Sequence, residues 1–138
     1  MDGRYLRGEL YYADLGSGYG SEQEGHRPVL ILQNDVGNAY SPTVIVAAVT
    51  SKVSVKTKLP THCYVDERSG LKMPSIILLE QLRTVDKQRL STYIGRLNRR
   101  CIRAVNRALA ISVGVPRYVC SELTGDGAKR KFHSSCRR

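Results

Sequence analysis

The chain has 138 residues, 41% of them hydrophobic, and a formal net charge of +10. That length predicts one domain with its own hydrophobic core. No run approaches the roughly 18 apolar residues of a membrane-spanning helix. The first residues also lack the apolar segment of a signal peptide, so the sequence predicts a cytoplasmic protein with no membrane partner.

The positive charge is concentrated in the C-terminal part of the chain. Residues 1–82 contain 8 Lys and Arg against 9 Asp and Glu, whereas residues 83–138 contain 14 against 3. Such a basic segment favours a polyanionic partner, with nucleic acid ahead of membrane. A solubilising surface is the alternative explanation for a charge excess alone.

The apolar pattern predicts short strands followed by one helix. The predicted strands span residues 9–15, 29–33, 43–49, 62–65, 75–79 and 92–97. Residues 34–38 are predicted to form a turn, and residues 86–90 a single helical turn. A helix is predicted between the N-cap Asn98 and Gly114, because apolar residues recur there at spacings of three and four. These elements predict a mainly β fold, a small barrel or curled sheet with a C-terminal helix packed on it.

A polar loop lies between the first two predicted strands. Gly20 and Gly25 allow backbone angles that other residues resist, and Pro28 suits the first position of a strand because it has no N–H. Arg27 is therefore predicted where a loop becomes a strand, a common place for functional groups. Its guanidinium is a permanently charged fork that matches a phosphate.

The four cysteines, Cys63, Cys101, Cys120 and Cys136, form no CxxC pair and are predicted to be free thiols. Cys120, His133 and Cys136 offer only three candidate zinc ligands at no standard spacing. The sequence therefore predicts no metal site and no cofactor.

Several separated motifs occur in an order and spacing that resemble one protein family. They are Arg7-Gly8-Glu9, Gly20-Ser21-Glu22-Gln23, Arg27-Pro28-Val29, Gln33-Asn34-Asp35, Thr50-Ser51, Leu59-Pro60-Thr61-His62 and the run from Glu80 to Leu90. Residues 6–114 thereby resemble the MazF/PemK toxins of bacterial toxin–antitoxin modules. The resemblance implies an SH3-like barrel, a homodimer, and metal-independent, sequence-specific cleavage of single-stranded RNA. It also implies a cognate antitoxin that covers the RNA groove.

The resemblance also implies roles for individual residues. Arg27 and Thr50 match the family's catalytic positions, and the positions that line its RNA groove are matched by Ser21, Glu22, Gln23 and Gln81. Further RNA-binding candidates in the same loops are Tyr19, Ser51, Lys52 and Lys56. Tyr19 could stack on a base, with packing over the barrel mouth as an equal alternative.

The chemistry of these residues suits RNA cleavage by the substrate's own 2′-hydroxyl. Arg27 can hold two phosphoryl oxygens, and Thr50 can orient the 2′-hydroxyl or donate to a phosphate oxygen. Because arginine stays protonated, we interpret Arg27 as a charge stabiliser and proton donor. Glu22 and Glu24 are open alternatives for the proton acceptor.

Two histidines are predicted to lie outside the chemistry. Strand alternation points His26 away from Arg27, and His62 is predicted to be structural.

Two other functions stay open at this point. One is a non-catalytic toxin resembling CcdB, which poisons DNA gyrase, although Arg27 and Thr50 argue against it. The other is a plain RNA-binding module, which only the basic C-terminal half supports.

Two segments depart from the family pattern. The predicted final helix is unusually basic, and it could bind RNA, an acidic partner or neither. Residues 117–138 extend past a toxin domain of residues 1–116 and contain few apolar residues. We expect a mobile basic tail that adds affinity for RNA without specificity, since phosphate contacts carry no sequence information. A solubilising extension is the alternative.

Overall fold

The computed structural model describes residues 4–53 and 59–116. These residues form six strands, β1 (Glu9–Asp14), β2 (His26–Ile31), β3 (Thr43–Thr50), β4 (His62–Val65), β5 (Ser75–Asp86) and β6 (Leu90–Arg96). They also form two α-helices, α1 (Asp35–Tyr40) and α2 (Arg99–Val113), and single 3-10 turns at Glu67–Ser69 and Lys87–Arg89. The tail predicted from residue 117 onward lies outside the described residues.

The six strands form one antiparallel sheet in the order β4-β5-β3-β2-β1-β6. The sheet curls until its two ends meet, where the turn after β4 packs against β6. A Cβ atom on Gly95 of β6 would lie 1.9 Å from the carbonyl oxygen of Ser69, so only glycine permits this approach. The predicted mainly β barrel with a C-terminal helix is thereby confirmed.

Alternate residues along the strands supply two apolar cores, because neighbouring side chains point to opposite faces of a sheet. The core between the sheet and α2 includes Leu10, Leu30, Ala47, Val49, Ile77, Leu79, Val105 and Ala108. The core on the opposite face includes Tyr11, Ala13, Val29, Ile31, Val46, Ala48 and Val85. Burial on both faces explains why the central strands are continuous apolar runs in the sequence.

The final helix forms as predicted. The side chain of Asn98 accepts a hydrogen bond from the backbone N–H of Cys101, and the helix ends at Gly114 in the left-handed region. Val105 is fully buried against the sheet. Within the described part of the chain, neither helix is long and apolar enough to cross a membrane.

Three sequence predictions are wrong in detail. The predicted turn at residues 34–38 is part of helix α1, because the side chain of Asn34 caps a new helix by accepting from the N–H of Gly37. β5 continues beyond the predicted end at Leu79, because a bulge interrupts its pairing with β3 without ending the strand. Pro28 is the third residue of β2, where pairing with β3 has not yet begun.

The bulged part of β5 is tied to β4 through Glu80. Thr61 donates to Oε1 of Glu80 at 2.8 Å, and Nε2 of His62 lies 3.0 Å from Oε2. Burial raises the pKa of Glu80, but hydrogen bonds from Thr61, the backbone and His62 outweigh burial and hold the pKa below its ordinary value of 4.5. The His62 side chain is 2% exposed, which agrees with the structural role predicted for it.

The closure of the barrel at Gly95 can be tested by adding one methyl group. Gly95→Ala should lower the free energy of unfolding by about 1–3 kcal/mol, the usual cost of overpacking, because the backbone of Ser69 must move. Urea denaturation measures this difference. Thr92→Ala, an exposed change on the same strand, is the control. Equal stability of the Gly95→Ala protein and the wild type would contradict the close approach.

The tie at Glu80 predicts a pH-dependent contribution to stability. Since the folded-state pKa is lowered, the carboxylate stabilises the fold above the unfolded value near 4.5, and this contribution is lost as the pH falls through the folded pKa. Glu80→Gln should therefore be less stable than the wild type at neutral pH, and the difference should shrink as the pH falls below 4.5 and through the folded-state pKa. Denaturation midpoints across this range measure it, with the exposed Glu67→Gln as the control. A difference that does not change with pH would contradict the assignment.

Candidate active site

The loop between β1 and β2 is closed at its neck by backbone hydrogen bonds. The N–H of Leu15 donates to the carbonyl of Gly25 at 2.9 Å, and the N–H of Gly25 donates to the carbonyl of Gly16 at 2.8 Å. Gly25 accepts one of these hydrogen bonds and donates the other, and its φ of 80° lies in the left-handed region. This conformation agrees with the expectation that a glycine is needed there. The loop is thus held in place immediately before β2 begins.

Two carboxylates brace the interior of this loop. Oε1 of Glu22 accepts from the N–H of Tyr19, and Oε1 of Glu24 accepts from the N–H of Gly18, both at 2.8 Å. One oxygen of each carboxylate is therefore engaged in fixing the loop backbone. The proposed roles of Glu22 in RNA binding and of either carboxylate as proton acceptor stay predictions.

Arg27 is the second residue of β2 and lies beside the loop. Its Nε donates to the carbonyl oxygen of Glu24 at 2.6 Å, which orients the guanidinium. Within residues 4–53 and 59–116, its two terminal nitrogens have no hydrogen-bond or ion-pair partner. A fixed cation with two free donors is suited to an anionic phosphoryl group.

Thr50 comes opposite Arg27 when the register of β2 and β3 is continued past its last observed pair. Val29 pairs with Ala48, and Ile31 pairs with Val46. The observed pairing of β2 with β3 begins at Val29, and the same register continued by two residues brings Arg27 across from Thr50 at the rim of the sheet. Thr50 ends β3, is 2% exposed, and its Oγ1 accepts from the N–H of Lys52 at 3.3 Å. The hydroxyl therefore keeps its own proton available for donation.

β5 braces the loop from the opposite side through its bulge. Gln81 accepts from the N–H of Gln23 at 3.3 Å and donates to the carbonyl of Ser21 at 3.0 Å. The bulge lies between Leu78 and Leu82, which pair with adjacent residues of β3, and bulges often re-aim side chains beside active sites. Gln81 thus holds the loop backbone, and its contact with RNA stays a prediction.

Arg83 is a second brace that sequence reasoning missed. Its Nη1 donates to the carbonyl of Leu15 at 2.9 Å, across 68 residues of sequence. Arg83 belongs to the motif from Glu80 to Leu90 that resembles the family, but no local sequence pattern predicts a hydrogen bond between residues so far apart in the chain. Together Gln81 and Arg83 tie both ends of the loop to β5.

The other predicted RNA-binding residues lie around this centre. Ser51 and Lys52 are exposed just after β3, and Tyr19 is 87% exposed in the loop. That exposure contradicts the alternative in which Tyr19 packs over the barrel mouth. Lys56 lies outside the described residues.

His26 lies on the other face of β2. Its ring stacks on Tyr12, with centroids 5.3 Å apart and planes 4° apart. His26 pairs with Asp14 while Arg27 pairs with Ala13, so the two neighbours point to opposite faces as predicted.

The two cysteines in the described ranges, Cys63 and Cys101, are not among the residues of this centre. Cys63 and Cys101 are free thiols, and burial raises the pKa of Cys63 to about 11. Within the described ranges, no group of three His, Cys, Asp or Glu side chains could hold a metal ion. Cys120, His133 and Cys136 lie outside those ranges.

Known sequences resemble this chain over most of its length. Endoribonuclease EndoA of Bacillus subtilis is 52% identical over 110 residues, which cover 79% of this chain and 94% of that protein. Endoribonuclease MazF of Staphylococcus saprophyticus is 50% identical over 110 residues, which cover 79% and 91%. These relatives confirm the predicted enzyme class, an endoribonuclease, over the CcdB-like and plain RNA-binding alternatives.

Solved structures agree with the sequence relatives. A mycobacterial endoribonuclease in complex with its cognate antitoxin is 26% identical, with a TM-score of 0.69 over 81% of this chain and 97% of that chain. MazF from Deinococcus radiodurans, 21% identical with a TM-score of 0.70 over 82% and 99%, supports the fold. The family of PemK-like, MazF-like toxins of type II toxin–antitoxin systems matches residues 6–113. The chain therefore belongs to the PemK/MazF toxin family.

Proposed function

We propose that this toxin cleaves single-stranded RNA at specific sequences, without a metal ion, by attack of the substrate's 2′-hydroxyl. The proposal is supported by the register of β2 and β3, which, continued two residues past its last observed pair, sets Arg27 opposite Thr50 beside a braced polar loop. The scissile phosphate lies at Arg27, and the 2′-hydroxyl of the preceding nucleotide lies near Thr50. The loop residues Ser21 to Gln23, with Ser51 and Lys52, contact the flanking nucleotides.

The cleavage step needs no external nucleophile. The 2′-oxygen attacks the adjacent phosphorus while the bond from phosphorus to the 5′-oxygen breaks, which produces a 2′,3′-cyclic phosphate and a 5′-hydroxyl. Extra negative charge develops on the phosphoryl oxygens, and the terminal nitrogens of Arg27 stabilise it. Thr50 donates its hydroxyl proton to a phosphoryl oxygen or orients the attacking group.

Two protons must move in this step. The leaving 5′-oxygen needs one, and the Arg27 guanidinium can donate it. The 2′-hydroxyl must lose one, and Glu22 and Glu24 in the adjacent loop are the two candidate acceptors. Only one oxygen of the Glu24 carboxylate is engaged by the loop backbone.

The partners follow from the family and from the surface of the domain. A cognate antitoxin with an acidic or amphipathic segment covers the RNA groove, in line with the antitoxin complex of the mycobacterial relative. Two copies of the chain form a homodimer. Exposed apolar side chains at the end of α2, where Val113 is 54% and Val115 47% exposed, provide surface that association would cover.

Removing the guanidinium of Arg27 should abolish most of the cleavage. Arg27→Ala should lower the rate by about 10²–10³, the usual loss when one transition-state donor is removed. Cleavage of a long RNA is measured by gel, and an unchanged denaturation midpoint shows that the fold is intact. Arg68→Ala is the matched control, because Arg68 is exposed and paired with Asp66. Thr50→Ala should also be severely impaired. A folded Arg27→Ala protein with full activity would disprove the assignment.

The attacking group can be tested in the substrate. Replacing the 2′-hydroxyl at the scissile nucleotide with hydrogen should block cleavage, whereas EDTA should have no effect. The 5′ product should carry a cyclic phosphate, which mass spectrometry identifies. Cleavage of the deoxy substrate together with inhibition by EDTA would indicate a metal-activated water instead.

The assembly state is a separate test. Sedimentation should show a dimer at micromolar concentration and neutral pH, because two-fold dimers are the commonest homo-oligomers. Glu67→Gln, an exposed change outside α2, should not change it, while Val113→Glu should weaken association. A monomeric wild-type protein would contradict the proposal.

A further inference from the structure

A cavity of about 490 Å³ opens beside the N-terminal end of α2. Its polar lining consists mainly of arginines from three parts of the chain. Arg7 precedes β1, Arg96 ends β6, and Arg99 and Arg103 lie one turn apart on α2. Leu97 and Ile102 supply apolar surface between these guanidinium groups.

Three of these arginines have no partner within the described ranges. The side chains of Arg96, Arg99 and Arg103 form neither an ion pair nor a hydrogen bond with any residue of 4–53 or 59–116, whereas Arg68 is paired with Asp66 at 2.9 Å. Residues 83–116 contain 8 Lys and Arg against a single Asp. Like charges in one cavity repel, and a bound anion would offset that repulsion.

The wall of the cavity is held firmly. Nε of Arg7 donates to the carbonyl of Leu32 at 2.8 Å, and its Nη2 donates to Oδ1 of Asn106 at 3.0 Å. The N–H of Leu97 donates to the carbonyl of Gly8 at 3.0 Å. The N–H of Arg7 also donates to Asp35, so one carboxylate lies near its backbone. Arg7 therefore presents a fixed charge to the cavity, whereas Arg96, Arg99 and Arg103 are exposed and able to adjust.

The cavity lies at the other end of β1 from Arg27. Arg96 pairs with Glu9 and Arg27 pairs with Ala13, on opposite sides of the same strand. Four residues along a strand span about 13 Å, and two strand spacings add about 10 Å across, so the two arginine Cα atoms are about 16 Å apart. The cavity lies beside α2 on the face of Leu30, whereas Arg27 continues the face of Val29, so an RNA strand that contacts both passes around the rim of the sheet. Proteins that bind single strands contact about 4–16 nucleotides, which is long enough for that path.

We propose that Arg96, Arg99 and Arg103 form a second RNA contact that holds a phosphate of the substrate strand outside the cleavage site. The inference rests on the proposed function. Guanidinium groups bind phosphate and carboxylate alike. The short distance from Arg27 and the presence of three unpaired guanidinium groups favour a nucleic-acid backbone over an acidic protein segment. The apolar surface of Leu97 and Ile102 gives an adjacent ribose or base a place to pack. The contact strengthens binding without reading sequence.

The test compares two double variants of the full chain. Arg99→Gln with Arg103→Gln removes two cavity charges. Arg100→Gln with Arg107→Gln removes two charges from the same helix at positions that do not line the cavity. Each pair is combined with Arg27→Ala, so that binding of an uncleaved single-stranded RNA of about 30 nucleotides can be followed by fluorescence anisotropy from low to moderate salt. The two double variants with Arg27 intact are also assayed for cleavage. The substrates are the RNA of about 30 nucleotides and a short RNA of about six nucleotides that contains the cleavage site.

The cavity pair should weaken binding of the long RNA roughly tenfold at low salt, and should reduce the salt slope by about 0.7–1.4, the value for one or two phosphates on a single strand. KM for the long RNA should rise with little change in kcat, and the effect should shrink on the short RNA. The control pair should change each quantity much less.

Three results would overturn the site. They are equal losses of RNA binding from both pairs, no loss from the cavity pair, and, when an acidic peptide is titrated in the same assay, a loss by the cavity pair that is confined to that peptide. Failure of the wild type to cleave either RNA would instead count against the proposed function, because binding is measured separately on uncleaved RNA.

Discussion

The pairing of β2 with β3 is the constraint on which the candidate site depends. Val29 opposite Ala48 sets the register, and that register, continued by two residues, brings Arg27 near the start of β2 to Thr50 at the end of β3. A slip of one residue would send either side chain to the other face of the sheet. The two apolar cores prevent such a slip, because Val29, Ile31, Val46 and Ala48 must stay buried on one face. Packing across the whole barrel thus fixes the geometry of a pair at its rim.

The loop that carries the other predicted RNA contacts is ordered by groups of two kinds. Its own carboxylates, Glu22 and Glu24, accept hydrogen bonds from its backbone, while Gln81 and Arg83 reach it from β5. The bulge in β5 releases Gln81 from the regular alternation of the strand, so it can point toward the loop. The same bulge releases Glu80 toward β4. The bulge in β5 therefore contributes both to the order of the loop at the candidate site and to the attachment of β4.

The arginines in the described domain fall into two groups that differ in how firmly their side chains are held. At the rim, one carbonyl orients Arg27, and in the proposed reaction this orientation aims its charge at the phosphoryl oxygens. Beside α2, three arginines stay unpaired and adjustable around a cavity, which suits contacts to a backbone of repeating phosphates. A single RNA strand that spans both regions would be positioned at one end and held at the other.

The sequence by itself determined the positions of the buried strands and of the final helix, and the family to which the chain belongs. Continuous apolar runs predicted the buried strands, Asn98 and Gly114 predicted the limits of α2, and the spaced motifs predicted the family and the pair Arg27 and Thr50. These features depend on local propensity, capping and residue order. Only the tertiary structure decided the continuation of β5 through its bulge, the brace from Arg83 to Leu15, and the meeting of Arg7 and Arg96 with α2 in one cavity. Each of these joins residues far apart in the chain, and side-chain contacts over such separations follow from packing of the folded sheet, which leaves no periodic signal in the sequence.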